Sequence, residues 1–260
     1  MNTNPLDLTG RTIMITGGAG ALGLAITARL REHGARVAIV DVAEETTVRR
    51  ALGDPEDGFA YVHADLTSAE ETTRAFAELT QALGSPDTVC CHAGIARSGA
   101  LPEFSVDDFD AVHELNVRSG FVVASEAARR WIADGTRGHL VFTSSWVQDV
   151  PWPGITPYAA GKAAVRALAR GFARELAPHG IRANTVAPGI VDAGMARHQW
   201  DTEPDYRRRA SRAVPLGYLQ PLESVADTFL FLCSPMASYM TGSTLLVDGG
   251  AGLYPMDDET

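Results

Sequence analysis

Residues 11–23 read Arg11-Thr12-Ile13-Met14-Ile15-Thr16-Gly17-Gly18-Ala19-Gly20-Ala21-Leu22-Gly23, a short apolar run that ends in a glycine-rich turn. Helical spacing follows at once, near Ala21–His33. Gly18, Gly20 and Gly23 match a G-x-G-x-x-G phosphate-binding fingerprint. Glycines there let the backbone turn tightly and approach a pyrophosphate, while free N–H groups at the helix start receive its charge. Glycine-rich turns follow many strands, so the weight of this one comes from its place between a first strand and a first helix.

The same rhythm continues to the end of the chain. Strands are expected at Arg11–Thr16, Arg36–Asp41, Phe59–Ala64, Thr88–Cys91, His139–Ser144, Ile181–Ala187 and Thr244–Val247. Between them lie helical patterns near Glu44–Leu52, Ser68–Leu83, Val106–Asp134, Pro157–Pro178 and Leu222–Leu232. The strands are nearly unbroken apolar runs, as when helices cover both faces of a parallel sheet. The expected fold class is therefore α/β: a single-domain, Rossmann-like, doubly wound parallel sheet over residues 1–260, with ligands at the carboxyl ends of its strands. One segment, residues 190–214, is polar, irregular and Arg-rich. It has the length and position of a lid or binding loop. Its arginines (Arg197, Arg207, Arg208, Arg209 and Arg212) read as a grip for a carboxylate, phosphate or sulfonate or, more simply, as a solvated helix face.

The second strand ends in Asp41, 18 residues beyond Gly23. A carboxylate there can accept hydrogen bonds from both adenosine ribose hydroxyls and would repel a 2′-phosphate. No basic residue follows it until Arg49 and none lies in the glycine loop, which favours NAD over NADP. Asp65, at the end of the third strand, reads either as an adenine contact with Leu66 or as the N-cap of the next helix.

Lysine usage is the sharpest single feature. Of 22 basic residues 21 are arginine, and the only lysine is Lys162. Arginine supplies generic positive charge in this chain, so a lone lysine suggests a task that needs a proton gained and lost. It lies four residues after Tyr158, on one helix face. A lysine placed at random would follow one of the six tyrosines at that spacing only about 2% of the time. The chemistry suits the pair. Free tyrosine, with a pKa of about 10, is a poor base at neutral pH, and a neighbouring ammonium together with the positive nicotinamide of bound NAD would stabilise its phenolate. Ser145, at the end of the fifth strand, could donate a hydrogen bond to a substrate oxygen.

Tyr158-Ala-Ala-Gly-Lys162 with Ser145, Thr16-Gly17 through Gly23, Leu115-Asn116-Val117, Pro188-Gly189 and the closing Val247-Asp248-Gly249-Gly250 resemble the short-chain dehydrogenase/reductase family, over about residues 8–250. The resemblance implies Tyr158 as general acid/base, Ser145 as substrate-orienting group, and Lys162 as partner of both the nicotinamide ribose and the tyrosine. It implies Asn116 as holder of a relay water. It also implies cofactor contacts at Gly17, Gly20, Leu22, Gly23, Asp41, Asp65, Leu66, Ala93, Gly94, Tyr158, Lys162, Pro188, Gly189 and Val191, and a homotetramer or homodimer built on the two long helices. Four positions in three motifs depart from the family pattern. Ala21 replaces a glycine, Cys91-His92-Ala93-Gly94 replaces Asn-Asn-Ala-Gly, and Ala193 replaces a threonine that contacts the carboxamide.

The segment Trp146-Val147-Gln148-Asp149-Val150-Pro151-Trp152-Pro153 borders the expected substrate cavity, and its Pro-Trp-Pro is similar to sugar dehydrogenases of the glucose 1-dehydrogenase kind. Trp146, Gln148 and Trp152 are substrate candidates, with His92 as a structural residue or a fourth; the tryptophans read equally as packing or subunit contacts. An NAD-dependent oxidoreductase acting on a sugar, polyol or other small secondary alcohol leads the function classes. A 3-oxoacyl-thioester or steroid-type reductase, a non-catalytic NAD(H) sensor and, last, a methyltransferase stand beside it.

Bulk composition sets outer limits. Hydrophobic residues make up 45% and charged residues 21%, enough apolar material for a large core. A net charge of −10 argues against a nucleic-acid partner, and no apolar stretch approaches a membrane span. No secretory pattern is visible at Met1–Gly10, which makes the cytoplasm the expected compartment. Cys90, Cys91 and Cys233 suit buried apolar positions, and no spacing suggests a metal site.

Overall fold

The computed structural model describes residues 4–253, so the ends of the expected domain, 1–3 and 254–260, lie outside the described residues. Within the described residues seven strands form one parallel sheet in the order β3-β2-β1-β4-β5-β6-β7. They are β1 (Thr12–Thr16), β2 (Arg36–Asp41), β3 (Phe59–His63), β4 (Thr88–Cys91), β5 (His139–Thr143), β6 (Arg182–Pro188) and β7 (Thr244–Val247). Each lies within one residue of the bounds read from the sequence. Among the described residues nine α-helices accompany them: α1 (Ala21–Glu32), α2 (Glu45–Ala51), α3 (Ala69–Leu83), α4 (Val106–His113), α5 (Ser119–Asp134), α6 (Thr156–Leu176), α7 (Gly194–Thr202), α8 (Pro204–Ala213) and α9 (Leu222–Cys233).

Alternation along the strands explains the two-sided core. Met14, Ala38, Val40, Val89, Leu140 and Phe142 face one way, onto Phe76 and Leu79 of α3, Trp131 of α5 and Val165 of α6. Ile13, Ile15, Val37, Cys90 and Val141 face the other, onto Ile26 and Leu30 of α1 and Phe229 of α9. β1 is buried at all five positions. All three cysteines are buried and free. Strand order reverses between β1 and β4, which opens a crevice at their carboxyl ends.

Two elements differ from the sequence reading. The expected helix Val106–Asp134 is interrupted by a π-helical turn at Glu114–Arg118. The extra residue rotates Asn116 inward, where its Oδ1 accepts from the Ile95 N–H (2.7 Å) and its Nδ2 donates to the Ile95 carbonyl (2.8 Å). The segment 190–214 is also not irregular, because it folds into α7 and α8. Pro204 opens α8 in the first turn, where its missing N–H costs nothing. Tyr206 and Ala210, one turn apart, are buried beneath it with Val214.

Among the described residues, no helix is long and apolar enough to cross a membrane. Nor does any cluster of three or more His, Cys, Asp or Glu form a candidate metal site there.

Candidate active site

The crevice between β1 and β4 requires its glycines. Gly17 has φ +68, and a Cβ there would stand 2.6 Å from the Ala93 Cα. A Cβ on Gly23 would stand 2.6 Å from the Gly18 Cα. Both positions let the loop after β1 fold flat against α1 and the end of β4. The result is a cavity of about 690 Å³ whose lining includes Gly17, Gly20, Leu22, Asp41, Asp65 and Leu66. Ala93, Gly94, Tyr158 and Val191 complete its inner end. Gly23 is buried beneath the loop. Pro188 and Gly189 border an adjoining cavity of about 210 Å³ with Ser145, Tyr158 and Lys162.

Asp41 sits at the far end. Its Oδ2 accepts from the Ala19 N–H (2.9 Å) and its Oδ1 from the Ala43 N–H (3.1 Å). These bonds fix the carboxylate and leave lone pairs for a diol. Asp65 lies on the same rim, where its Oδ1 accepts from the Thr67 N–H (2.9 Å) and hydroxyl (2.8 Å). It does not cap α3. That role belongs to Ser68, whose hydroxyl accepts from the Glu71 N–H. The lining of the large cavity holds two carboxylates and no Arg or Lys.

The inner end brings together Ser145, Tyr158 and Lys162. Lys162 Nζ is buried, donates to the Thr143 carbonyl (2.9 Å) and lies 5.4 Å from the Tyr158 ring centre. Ser144 locks this arrangement, its hydroxyl donating to the Lys162 carbonyl (2.7 Å) and so tying α6 to the end of β5. Burial pushes the Tyr158 phenol up to about 12, against which hydrogen bonding to the Ser145 hydroxyl pulls it down. Burial also lowers the Lys162 ammonium from 10.5 to about 8. The sequence reading has the ammonium and the positive nicotinamide of bound NAD together bring the phenol toward working range; in the protein alone desolvation is the larger effect.

His92 lines both the large and the adjoining cavity and not the tryptophan-walled one described next. Its Nδ1 is 2.9 Å from the Thr143 hydroxyl. Burial, then repulsion from Lys162, lowers the imidazole to about 4, so it is neutral at pH 7.

A third cavity, about 450 Å³, opens beside Ser145 and Tyr158 and is walled by Trp146, Trp152 and Tyr206. Trp146 and Trp152 meet edge to face at 5.4 Å, and Trp152 meets Tyr206 at 6.4 Å. Gln148 is buried but is not in this wall. Asp149, next to it, is held in an ion pair with Arg166 (2.5 Å).

Comparison with known proteins decides the lineage. The family model described as enoyl-(acyl carrier protein) reductase matches residues 17–252. Glucose 1-dehydrogenase of Gluconobacter oxydans is 31% identical over 248 residues, 94% of this chain and 93% of the relative. The chain belongs to the short-chain dehydrogenase/reductase family. Human (3R)-3-hydroxyacyl-CoA dehydrogenase is 36% identical, over 91% of this chain and 94% of its own. The structure of a gluconate 5-dehydrogenase from Burkholderia cenocepacia in complex with NADP and tartrate superposes with a TM-score of 0.88 at 30% identity, covering 95% of this chain and 97% of that one. Members of this family are oxidoreductases of hydroxyl and keto groups.

Against the short-chain dehydrogenase pattern, the departures acquire physical meaning. Ala21 is exposed at the start of α1, where a methyl group meets no obstacle. With Cys91-His92 after β4, the tie to β1 comes from Thr16, whose hydroxyl accepts from the N–H groups of His92 (3.0 Å) and Ala93 (3.2 Å). Ala193 reaches both large cavities but has no hydroxyl to offer. The sequence reading missed two contributors: Ser144 and Gln220. Gln220 Oε1 accepts from the Gly189 N–H (2.7 Å) and so fixes the Pro188-Gly189 turn. Ser144 stood next to Ser145 and could have been weighed with it; for Gln220, 31 residues from Gly189, no local signal exists.

Proposed function

We propose that this chain is an NAD-dependent dehydrogenase that interconverts a secondary alcohol, in a sugar, polyol or other small hydroxylated compound, with its ketone. The carrying observation is the position of Asp41 at the end of a glycine-floored crevice whose lining holds no cation. A dinucleotide fits there because the cradle has no side chains where Gly17 and Gly23 would otherwise project them. Gly17, Gly20, Leu22 and Gly23 would hold the pyrophosphate, Asp41 the adenosine ribose, and Asp65 and Leu66 the adenine. Ala93, Gly94, Pro188, Gly189 and Val191 would border the nicotinamide half.

NAD, when bound, would supply the hydride acceptor, and the proton released as the alcohol becomes a ketone would go to Tyr158. In this proposal Tyr158 Oη takes the carbinol proton, and Ser145 donates a hydrogen bond to the same oxygen. Lys162 favours the phenolate by its charge and holds the ribose. Asn116 has both ends of its amide engaged by Ile95, so we assign it to positioning the loop that carries His92, Ala93 and Gly94. Trp146 and Trp152 supply the apolar wall of the substrate cavity.

We further infer that residues 1–260 act as one catalytic unit, in the cytoplasm, assembled as a homotetramer or homodimer. An exposed apolar groove along α5 and α6, with Phe121, Leu168 and Phe172, supports self-association. Sedimentation should find Phe121→Glu shifted to a smaller species than the wild type; an unshifted profile rules this face out.

The cofactor assignment is tested with NAD and NADP against a panel of aldoses, polyols and cyclic alcohols. NAD should be preferred in kcat/KM by about 100-fold or more, the scale of a close like-charge contact. Asp41→Ser should cut that preference by about tenfold or more. Equal use of NADP by the wild type would defeat the assignment.

A further inference from the structure

We propose that Arg209 selects substrates in which the reacting alcohol is accompanied by a carboxylate, so that the site handles hydroxy acids in preference to neutral polyols. This deepens the reading above and rests on it.

The tryptophan-walled cavity has Ser145 and Tyr158 on one side and α8 on the other. Its lining contains one charged side chain, Arg209, and no Asp or Glu. In a chain of net charge −10 that is the opposite of the average surface. The other arginines of the lid segment are engaged elsewhere. Arg197 pairs with Asp192 (2.5 Å) and Asp201 (3.3 Å), and Arg208 pairs with Asp205. Arg207 Nε donates to the Trp200 carbonyl (2.9 Å), and Arg212 has a partner of its own. No carboxylate among the described residues forms an ion pair with Arg209.

What holds Arg209 is aromatic. Its guanidinium lies 4.9 Å from the Trp152 ring centre and 5.9 Å from that of Tyr206. Tyr206 is buried on the same helix, three residues earlier, and Trp152 is braced by Trp146. The cation is therefore set on a built platform. A guanidinium over a ring spends its charge and one face, whereas its N–H donors lie in the plane and stay free. That is the donor set a carboxylate accepts in bidentate fashion. Arg209 is exposed at the mouth of the cavity, so it can be reached from solvent while its guanidinium stays on the rings. One cation without a second also matches a singly charged carboxylate better than a phosphate dianion. Polyol hydroxyls alone would give no reason to keep an unpaired cation here.

The test compares Arg209→Met with the wild type on hydroxy acids from 3-hydroxybutyrate to D-gluconate, each against a neutral counterpart such as 2-butanol or D-glucitol. The wild type should prefer the acid of each pair. Arg209→Met should raise KM for the acids about 10- to 100-fold, the scale of a charge-assisted hydrogen bond. It should leave kcat, and both constants for neutral alcohols, within about twofold. Wild-type indifference to the carboxylate, or equal losses on both classes, overturns the role of Arg209 and leaves the dehydrogenase reading standing. If no alcohol is oxidised, that reading is what has failed. Calorimetric titration of D-gluconate into the NADH-loaded protein then decides Arg209: binding lost in Arg209→Met supports the inference, and binding that is absent or unchanged overturns it.

Discussion

Replacing Tyr158 by phenylalanine is expected to lower kcat for alcohol oxidation by about 10²- to 10⁴-fold, the range of a lost general acid/base, while NADH still binds. The two outcomes separate because the tyrosine ring and its hydroxyl do different things. The ring belongs to the walls of all three cavities at the inner end of the crevice, and phenylalanine keeps it. Only the hydroxyl meets the Ser145 hydroxyl, and only the hydroxyl can carry a proton. Steady-state turnover and NADH fluorescence titration read the two properties independently. A variant within about tenfold of wild-type turnover would mean that the proton goes elsewhere. A sensor protein would lose nothing in either assay.

Lys162→Met should abolish turnover and at the same time make the protein more resistant to heat at pH 7. Lys162 is buried, and burial lowers its ammonium from 10.5 to about 8. Below pH 8 the group is charged in both folded and unfolded chains, so folding carries the full cost of burying the charge. Between 8 and 10.5 the unfolded chain binds more protons than the folded one, stability rises with pH, and above 10.5 the cost is gone. The depression corresponds to a cost of about 3 kcal/mol. Methionine removes the charge at similar length but also loses the bond to the Thr143 carbonyl, worth about 1 kcal/mol. The net gain is then about 1–2 kcal/mol, or roughly 2–8 °C in Tm for a chain of this size. Calorimetric melting at neutral and alkaline pH checks it, since the advantage should shrink as pH rises. A lower Tm at pH 7 would show that the ammonium is better solvated than its burial implies. The expected pattern is a charge kept for chemistry at the expense of stability.

The sheet was legible in the sequence because a parallel sheet covered on both faces needs unbroken apolar strands. TIMIT and HLVFT, set between helical patterns, are such runs. Lys162 was legible because the chain spends arginine everywhere else. The π turn at Glu114–Arg118 was not, since its side chains keep a helical pattern on both sides and the shift is set by Asn116 binding Ile95, 21 residues away. The lid helices were hidden for a related reason. Four arginines fill α8, and its order comes from Tyr206 and Ala210 packing on a distant wall, while α7 buries no residue of its own. Arg209 could not be told from its neighbours by sequence, as all five lid arginines look alike until their partners are known. The wall residues after β5 were only half legible. Trp146 and Trp152 turn toward the cavity, whereas Gln148 lies outside its lining and Asp149 goes to Arg166.

The pH dependence of alcohol oxidation under saturating NAD bears most directly on whether Tyr158 exchanges the proton. With its phenol near 12 in the protein alone, Tyr158 needs the added charge of an oxidised nicotinamide, beside that of Lys162, to become a phenolate. Oxidation should therefore rise about tenfold per pH unit and level off at an apparent pKa well below 12, while ketone reduction falls over the same range. Tyr158→Phe should flatten both limbs. A wild-type rate that is flat from about pH 6 to 10, or a profile that survives unchanged in Tyr158→Phe, would contradict the assignment.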